Sequence, residues 1–325
     1  MSGEIDAHAH YLPPAYRDAL AQAELWMIGG LPVPDWSAQL ALEFMDAHGI
    51  ASQVLSVSDP GVEFVELSAS IALARSCNDF GAELRAAHPD RFGTLAVLPL
   101  RDVDAAVEEA ARSLDELHLD GVGLLSSAAG RYLGDPAFEP LLSELDARGA
   151  WAFVHPTAPA QRPDYAIPES IAEFPFDTTR AIISLIFNGV FARHPRIRWH
   201  FAHGGGTLPM VRLRLAGLAG AAREFGPVLG LPEGSSVLDG GSVQAAIDCS
   251  FFDTALVADP ASLEAVRRLG PDRVVFGSDW PFAARLYEDS GELQPVIEEL
   301  FPAPQARALR SRTLAAQFPR LASAG

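Results

Sequence analysis

Two histidines stand two residues apart near the start of the chain, in Glu4-Ile5-Asp6-Ala7-His8-Ala9-His10. Residues i and i+2 of a strand share a face, so His8 and His10 point the same way, with Asp6 beneath them. Neutral imidazole is a common metal ligand, and two side by side can grip one ion. A catalytic zinc-type site needs about three protein ligands and an open position for water or substrate. Candidates for the rest of such a site are His155 in VHPT, His203 in AHGGG and Asp279 in GSDW. Each also has a plain structural reading: a satisfied strand-end histidine, a tight glycine turn, a carboxylate capping a helix. The fold decides between these readings by bringing the residues together or keeping them apart.

The hydrophobic pattern predicts eight strand-and-helix alternations. Strands are expected at 4–10, Gln53–Val57, Thr94–Leu98, Gly121–Leu125, Trp151–Val154, Ile197–Ala202, Ala246–Phe252 and Arg273–Phe276. Helices are expected over Trp36–His48, Glu66–His88, Thr178–Arg193, Arg212–Phe225 and Pro304–Phe318, with others opening after Asp102, Asp135 and Asp259 as N-caps. Tyr11–Asp35 and Thr157–Pro175 read as long loops. Strands with mostly continuous apolar runs are buried on both faces, as in a parallel sheet covered by helices. Eight units favour closure into a (β/α)8 TIM barrel with long loops over its C-terminal face, rather than an open doubly wound sheet. No linker divides the chain, so residues 1–325 read as a single domain. In such a barrel the functional strand ends lie on one face. His8, His10, His155, His203 and Asp279 then converge on one mouth, and His8, His10, His155 and Asp279 form a one-metal site. By the same sorting His48, His88, His118 and His194 fall at helix C-termini, where an imidazolium meets the negative dipole end.

Composition removes several functional classes. The formal net charge of -18 repels phosphate backbones and anionic headgroups, so neither nucleic acid nor membrane is an expected partner. Cys77 and Cys249 make no disulfide framework, and the first strand begins too early to leave room for a signal peptide; a cytoplasmic protein is expected. All 24 basic residues are arginine. Schiff-base chemistry needs a lysine amine and is therefore excluded. Two-metal sites bridged by a carboxylated lysine are excluded with it, which leaves one divalent ion.

The motifs DAHAHYLP, VHPT, FPFDTTRAI, AHGGG, FFDT and GSDWPF, in this order over nearly the whole chain, resemble the amidohydrolase-related, metal-dependent decarboxylase family. Aminocarboxymuconate-semialdehyde and γ-resorcylate decarboxylases typify that family. YLPPAY, GRYLGDPAFEPLL and HGGGTLP look closest to its 6-methylsalicylate decarboxylase relatives. The resemblance implies a single zinc or manganese ion held by His8, His10, His155 and Asp279, with His203 as the adjacent catalytic histidine, and a homodimer. One departure is that the first helix, LALEFMDAHGI, lacks the substrate-binding arginine of the muconate-semialdehyde branch.

Together these readings predict non-oxidative decarboxylation of a hydroxylated aromatic or related unsaturated carboxylic acid, with Asp279 or His203 protonating the ring carbon. The alternative is hydrolysis of a lactone, ester or amide by the same metal and histidine. Zinc outranks manganese in affinity. Tyr11, Trp26 and Trp280, with Phe252 and Phe282, are expected as an apolar wall for a flat ring, and Arg131 as a partner for a second polar group. The helix from Thr178 carries Ile182, Ile183, Leu185, Ile186, Val190 and Phe191 around much of its circumference, which predicts the dimer contact there.

Overall fold

Buried, largely apolar segments form eight parallel strands: β1 (Glu4–His10), β2 (Ile50–Ser56), β3 (Phe92–Val97), β4 (Gly121–Leu125), β5 (Trp151–His155), β6 (Arg198–Phe201), β7 (Ser250–Asp253) and β8 (Val274–Val275). The computed structural model describes residues 3–159, 167–231, 238–239, 241–283 and 293–323. Each strand pairs with the next in sequence. The ring is closed from β8 to β1 by Ala7 N donating to Phe276 O (2.8 Å), Asp279 N to His8 O (2.7 Å) and His10 N to Trp280 O (2.7 Å). Closure removes the exposed sheet edge and places every strand C-terminus at one rim. The (β/α)8 barrel expected from the sequence is the fold observed.

Helices α1 (Pro14–Gln22), α2 (Ala38–His48), α3 (Leu67–Ala87), α4 (Val103–Asp115), α5 (Glu139–Arg148), α6 (Glu169–Phe187), α7 (Leu208–Leu229), α8 (Ser242–Asp248) and α9 (Pro260–Arg267) wrap the strands. Their caps follow the sequence: Asp102 accepts from Ala105 N, and Asp259 from Ala261 N and Ser262 N. Gly49 and Gly149 close α2 and α5 in the left-handed conformation. No helix among the described residues is long and apolar enough to cross a membrane.

Several expectations are corrected. The loop expected at Tyr11–Asp35 contains α1 and a small hairpin of Met27–Ile28 with Leu31–Pro32. That expected at Thr157–Pro175 gives way to α6 from Glu169, with residues 160–166 outside the description. The seventh strand begins at Ser250, because Val243, Ala246 and Ile247 are buried at helical spacing in α8. The final helix is present as expected, running without a break through Ala303–Arg307, Ala308–Arg312 and Thr313–Gln317, with its middle segment widened to a π-helix. The dimer face expected on the helix from Thr178 is not exposed: Ile182, Leu185, Ile186 and Val190 are buried within the chain, and Ile183 and Phe191 pack against its core.

Candidate active site

β1 delivers His8 and His10 with their Nε2 atoms 3.1 Å apart. At that distance the two nitrogens either share a proton or aim their lone pairs at a common cation. His155, from the end of β5, and Asp279, beyond β8, complete a group whose four ligand atoms lie within 4.8 Å of one another. Asp279 Oδ1 is 3.1 Å from His10 Nε2 and 3.4 Å from His8 Nε2.

Each imidazole is held by its other nitrogen, which leaves Nε2 free to ligate. His8 Nδ1 meets Asp253 Oδ2 at 2.9 Å, His10 Nδ1 meets Ser56 Oγ at 3.0 Å, and His155 Nδ1 meets Pro156 O at 2.8 Å. Such outer partners fix the tautomer and ring orientation of metal ligands. Burial opposes a charge on His8, but Asp253 and Asp279 outweigh it and raise its pKa to about 10. Burial, with the neighbouring imidazoles, pushes His155 well below the usual histidine value, and burial also lowers His10. Burial would raise Asp279, yet the imidazoles of His10, His203 and His8 around it hold it well below the usual carboxylate range. The Asp279 carboxylate and the neutral imidazoles of His10 and His155 surround one position, and a proton on His8 Nε2 is what a bound cation would displace there. The donor set of three nitrogens and one carboxylate fits a divalent ion.

Two buried carboxylates fix this geometry from behind. Asp6 accepts from His8 N (3.1 Å), Ser278 N (3.0 Å), Ser278 Oγ (2.6 Å) and Gln53 Nε2 (3.0 Å), which ties the segment carrying Asp279 to β1. Burial raises the Asp6 carboxyl to about 6, against the lowering effect of those donors. Asp253, at the end of β7, accepts on Oδ2 from His8 and His200, each at 2.9 Å, and on Oδ1 from His203 N at 2.8 Å and Ala255 N at 3.1 Å. Gly277 passes between them, and a Cβ there would lie 2.9 Å from that of His8 and 3.0 Å from that of Asp253.

His203 faces the same centre from the turn after β6. Neither of its ring nitrogens has a hydrogen-bond partner among the described residues, although both are buried; Nε2 lies 3.7 Å from Asp279 Oδ2. His203 and Asp279 both have positive φ, 54° and 58°, a conformation that His and Asp tolerate better than most side chains. The glycines behind His203 answer a close approach as well as a turn, since a Cβ on Gly206 would lie 2.0 Å from Pro175 O in α6.

Above these residues is a cavity of about 290 Å³, lined by Ile28, Leu31, Ser58, His155, Ser170, Ile171, Phe174, His203, Leu256, Asp279, Phe282 and Ala283. A wider hollow of about 630 Å³, bordered by Trp26 and Trp36, carries none of the five converging residues. Four residues named from the sequence as substrate contacts do not line the smaller cavity. Arg131 is exposed on a hairpin, Tyr11 is buried against Trp36 and Phe80, Trp26 is exposed, and Trp280 stacks on Phe44. Phe282 does reach the cavity, 5.5 Å from the His10 ring, whereas Phe252 packs on Phe201. Sequence reasoning assigned no role to Asp253, although its place at a strand end was the signal that singled out His155. It also missed Phe174 and Ile171, which lie in the part of α6 that reads as loop.

A family model described as Amidohydrolase matches residues 5–309. A 6-methylsalicylic acid decarboxylase of Penicillium expansum is 34% identical over 291 residues, covering 86% of this chain and 85% of its own length. A solved structure described as an amidohydrolase II superposes with a TM-score of 0.84 at 28% identity, over 97% of this chain and 99% of its own. A dihydroxybenzoic acid decarboxylase from a Polaromonas species, solved with manganese and 2-nitroresorcinol, shares the fold with a TM-score of 0.77 at 21% identity, over 98% of this chain and 97% of its own.

Proposed function

Because this chain belongs to the amidohydrolase family, we propose that it is a metal-dependent carboxy-lyase that removes carbon dioxide from a hydroxylated aromatic acid of the salicylate type. The observation that carries the reading is a cavity whose polar end consists of His155, His203 and Asp279 and whose remaining wall is almost wholly apolar. At about 290 Å³ it sits near the lower end of small-ligand pockets, which suits a one-ring acid.

His8, His10, His155 and Asp279 would hold one divalent ion. When bound, that ion polarises the carboxylate and hydroxyl oxygens of the substrate and stabilises negative charge on them. Zinc is the choice by affinity, and manganese is the ion in the Polaromonas enzyme. Phe174 and Phe282 would hold the flat ring and exclude water. The His203 Nε2 and Asp279 Oδ2 pair would carry the proton to be delivered. The ring carbon bearing the carboxylate accepts it, the bond to the carboxylate carbon breaks with its electron pair returning to the ring, and carbon dioxide leaves. Ser58 and Ser170 replace Arg131 as the polar groups proposed to meet a ring substituent. The chain is read as one catalytic domain, and its unpaired Cys77 and Cys249 support a reducing, cytoplasmic setting.

Turnover in deuterium oxide tests the reading. Metal-loaded enzyme given 6-methylsalicylate should release one carbon dioxide and yield 3-methylphenol with a single deuterium where the carboxylate stood. His203→Gln should keep its metal and lose about 10²–10⁴ in kcat. Absence of carbon dioxide from a panel of salicylates, with a lactone or ester hydrolysed instead, would replace this function with the hydrolytic one.

A further inference from the structure

His8 has a carboxylate behind its ring and His10 a hydroxyl, whereas His155 has the backbone of the next residue, its Nδ1 donating to Pro156 O at 2.8 Å. A carbonyl in a segment leaving a strand braces a ring only if its own peptide is held. This peptide is held from the other side. Thr157 N donates to Ser126 Oγ at 3.1 Å and to Asp177 Oδ2 at 3.3 Å. Ser126 Oγ donates its proton to the same Asp177 oxygen, and Tyr132 OH donates to Asp177 Oδ1 at 2.7 Å. The Thr157 hydroxyl donates in turn to Asp59.

This arrangement does more than pack the segment. Pro156 O and Thr157 N belong to one planar peptide and point to opposite sides of it, so fixing the N–H fixes the direction of the carbonyl. Hydrogen bonds in series also polarise one another. A carboxylate drawing on the Thr157 N–H therefore adds negative charge to the carbonyl that holds His155. Asp177 is completely buried, where a carboxylate is costly unless it is fully bonded, and its donors come from three places: Ser126 after β4, Tyr132 in the hairpin of 127–132, and Thr157 after β5. Asp177 belongs to FPFDTTRAI and Tyr132 to GRYLGDPAFEPLL, yet neither side chain lines the cavity. Phe174, three residues before Asp177 in α6, does line it, with its ring centroid 5.8 Å from that of His155. One helix thus places both an apolar wall residue and the brace of a ligand.

We propose that Asp177 is a positioning residue of the metal site, acting on His155 through the peptide between Pro156 and Thr157 as Asp253 acts on His8 directly. The inference rests on His155 being a ligand, which the metal content of His155→Ala tests by itself, and it holds whichever reaction the metal serves.

The test uses the full chain loaded with cobalt(II). Asp177→Ala should lower cobalt affinity by about 10–100-fold in competition with a chelator. In Asp177→Asn the amide oxygen can still accept from Ser126 and Thr157 while the nitrogen donates to Tyr132, so the contacts stay and the charge goes. Affinity should then fall less, by roughly fivefold, because hydrogen bonds to a charged acceptor are about twice as strong as neutral ones. This variant carries the test where the alanine variant fails to fold. Proton NMR of the cobalt enzyme supplies a readout that general loosening would not give. The Nδ1–H groups of His8, His10 and His155 should produce three exchangeable, strongly shifted signals, of which one moves in Asp177→Asn while two stay. Unaltered affinity in the folded variants, or three signals that move together or not at all, would overturn the proposal.

Discussion

The polar end of the cavity is tied together by short polar contacts, with Asp6 and Asp253 alone accepting eight hydrogen bonds from His8, Gln53, His200, His203, Ala255 and Ser278. The opposite wall is made of Ile28, Leu31, Ile171, Phe174, Leu256 and Phe282, drawn from a hairpin, a helix start and loops, and touching by dispersion alone. Charged groups at the polar end are buried, so each must have its partner or cost free energy. Apolar wall residues carry no such condition and can change one at a time. The comparison teaches that damage at the polar end should be nearly all-or-none, whereas damage at the wall should be graded and specific to the substrate.

The largest effect is expected from breaking the polar end outright. His155→Ala removes one of four ligands and leaves a cavity that water can fill, so bound metal measured by elemental mass spectrometry should fall from about one per chain to near zero, with activity lost. Full metal occupancy in this variant would exclude His155 from the ligand set. Asp253→Asn sharpens the point without touching a ligand. Its amide nitrogen would replace the oxygen that now faces His8 Nδ1 and His200 Nε2. To face a donor, His8 must turn Nδ1 into an acceptor and carry its proton on Nε2, the atom aimed at the metal. A loss of about 10–100-fold in metal affinity follows, read by competition with a chelator. Unchanged affinity would mean that Asp253 only packs the barrel.

How much of this was legible in the sequence depends on the range of the cause. β1 and the strand ends were readable because alternation and barrel topology are local or generic, and together they place His8, His10, His155, His203 and Asp279 at one rim. The wall was not. Pro175 reads as a helix breaker, yet it lies inside α6, where Pro175 O accepts from Thr179 Oγ1 and packs against Gly206 from another part of the chain. The hairpin of residues 27–32 has strands of two residues, too short for any period to register. Apolar content alone also did not tell which helix face stays exposed. Ile182, Leu185 and Ile186 are covered by their own chain, while α7, with its small residues and charges, carries the exposed face.

The smallest expected effect lies at the wall, in Leu256. This leucine lines the cavity, is 45% exposed, and sits at φ 56°, a backbone region that favours asparagine over a bulky side chain. Strain of this kind persists where the side chain serves the site. Leu256→Asn should relieve it, so the thermal midpoint should hold or rise, in contrast to the loss usual for changes around a binding site. For a substrate with a methyl group on the ring, kcat/KM should fall by roughly 10-fold, the order of one hydrophobic group in a pocket. The loss should appear in KM, because the proton-delivering pair is untouched. For a dihydroxylated acid it should shrink or reverse, since the new amide can meet a hydroxyl. Equal losses on both substrates would show that Leu256 acts on the shape of the polar end, and the division between a fixed end and an adjustable wall would fail at this residue.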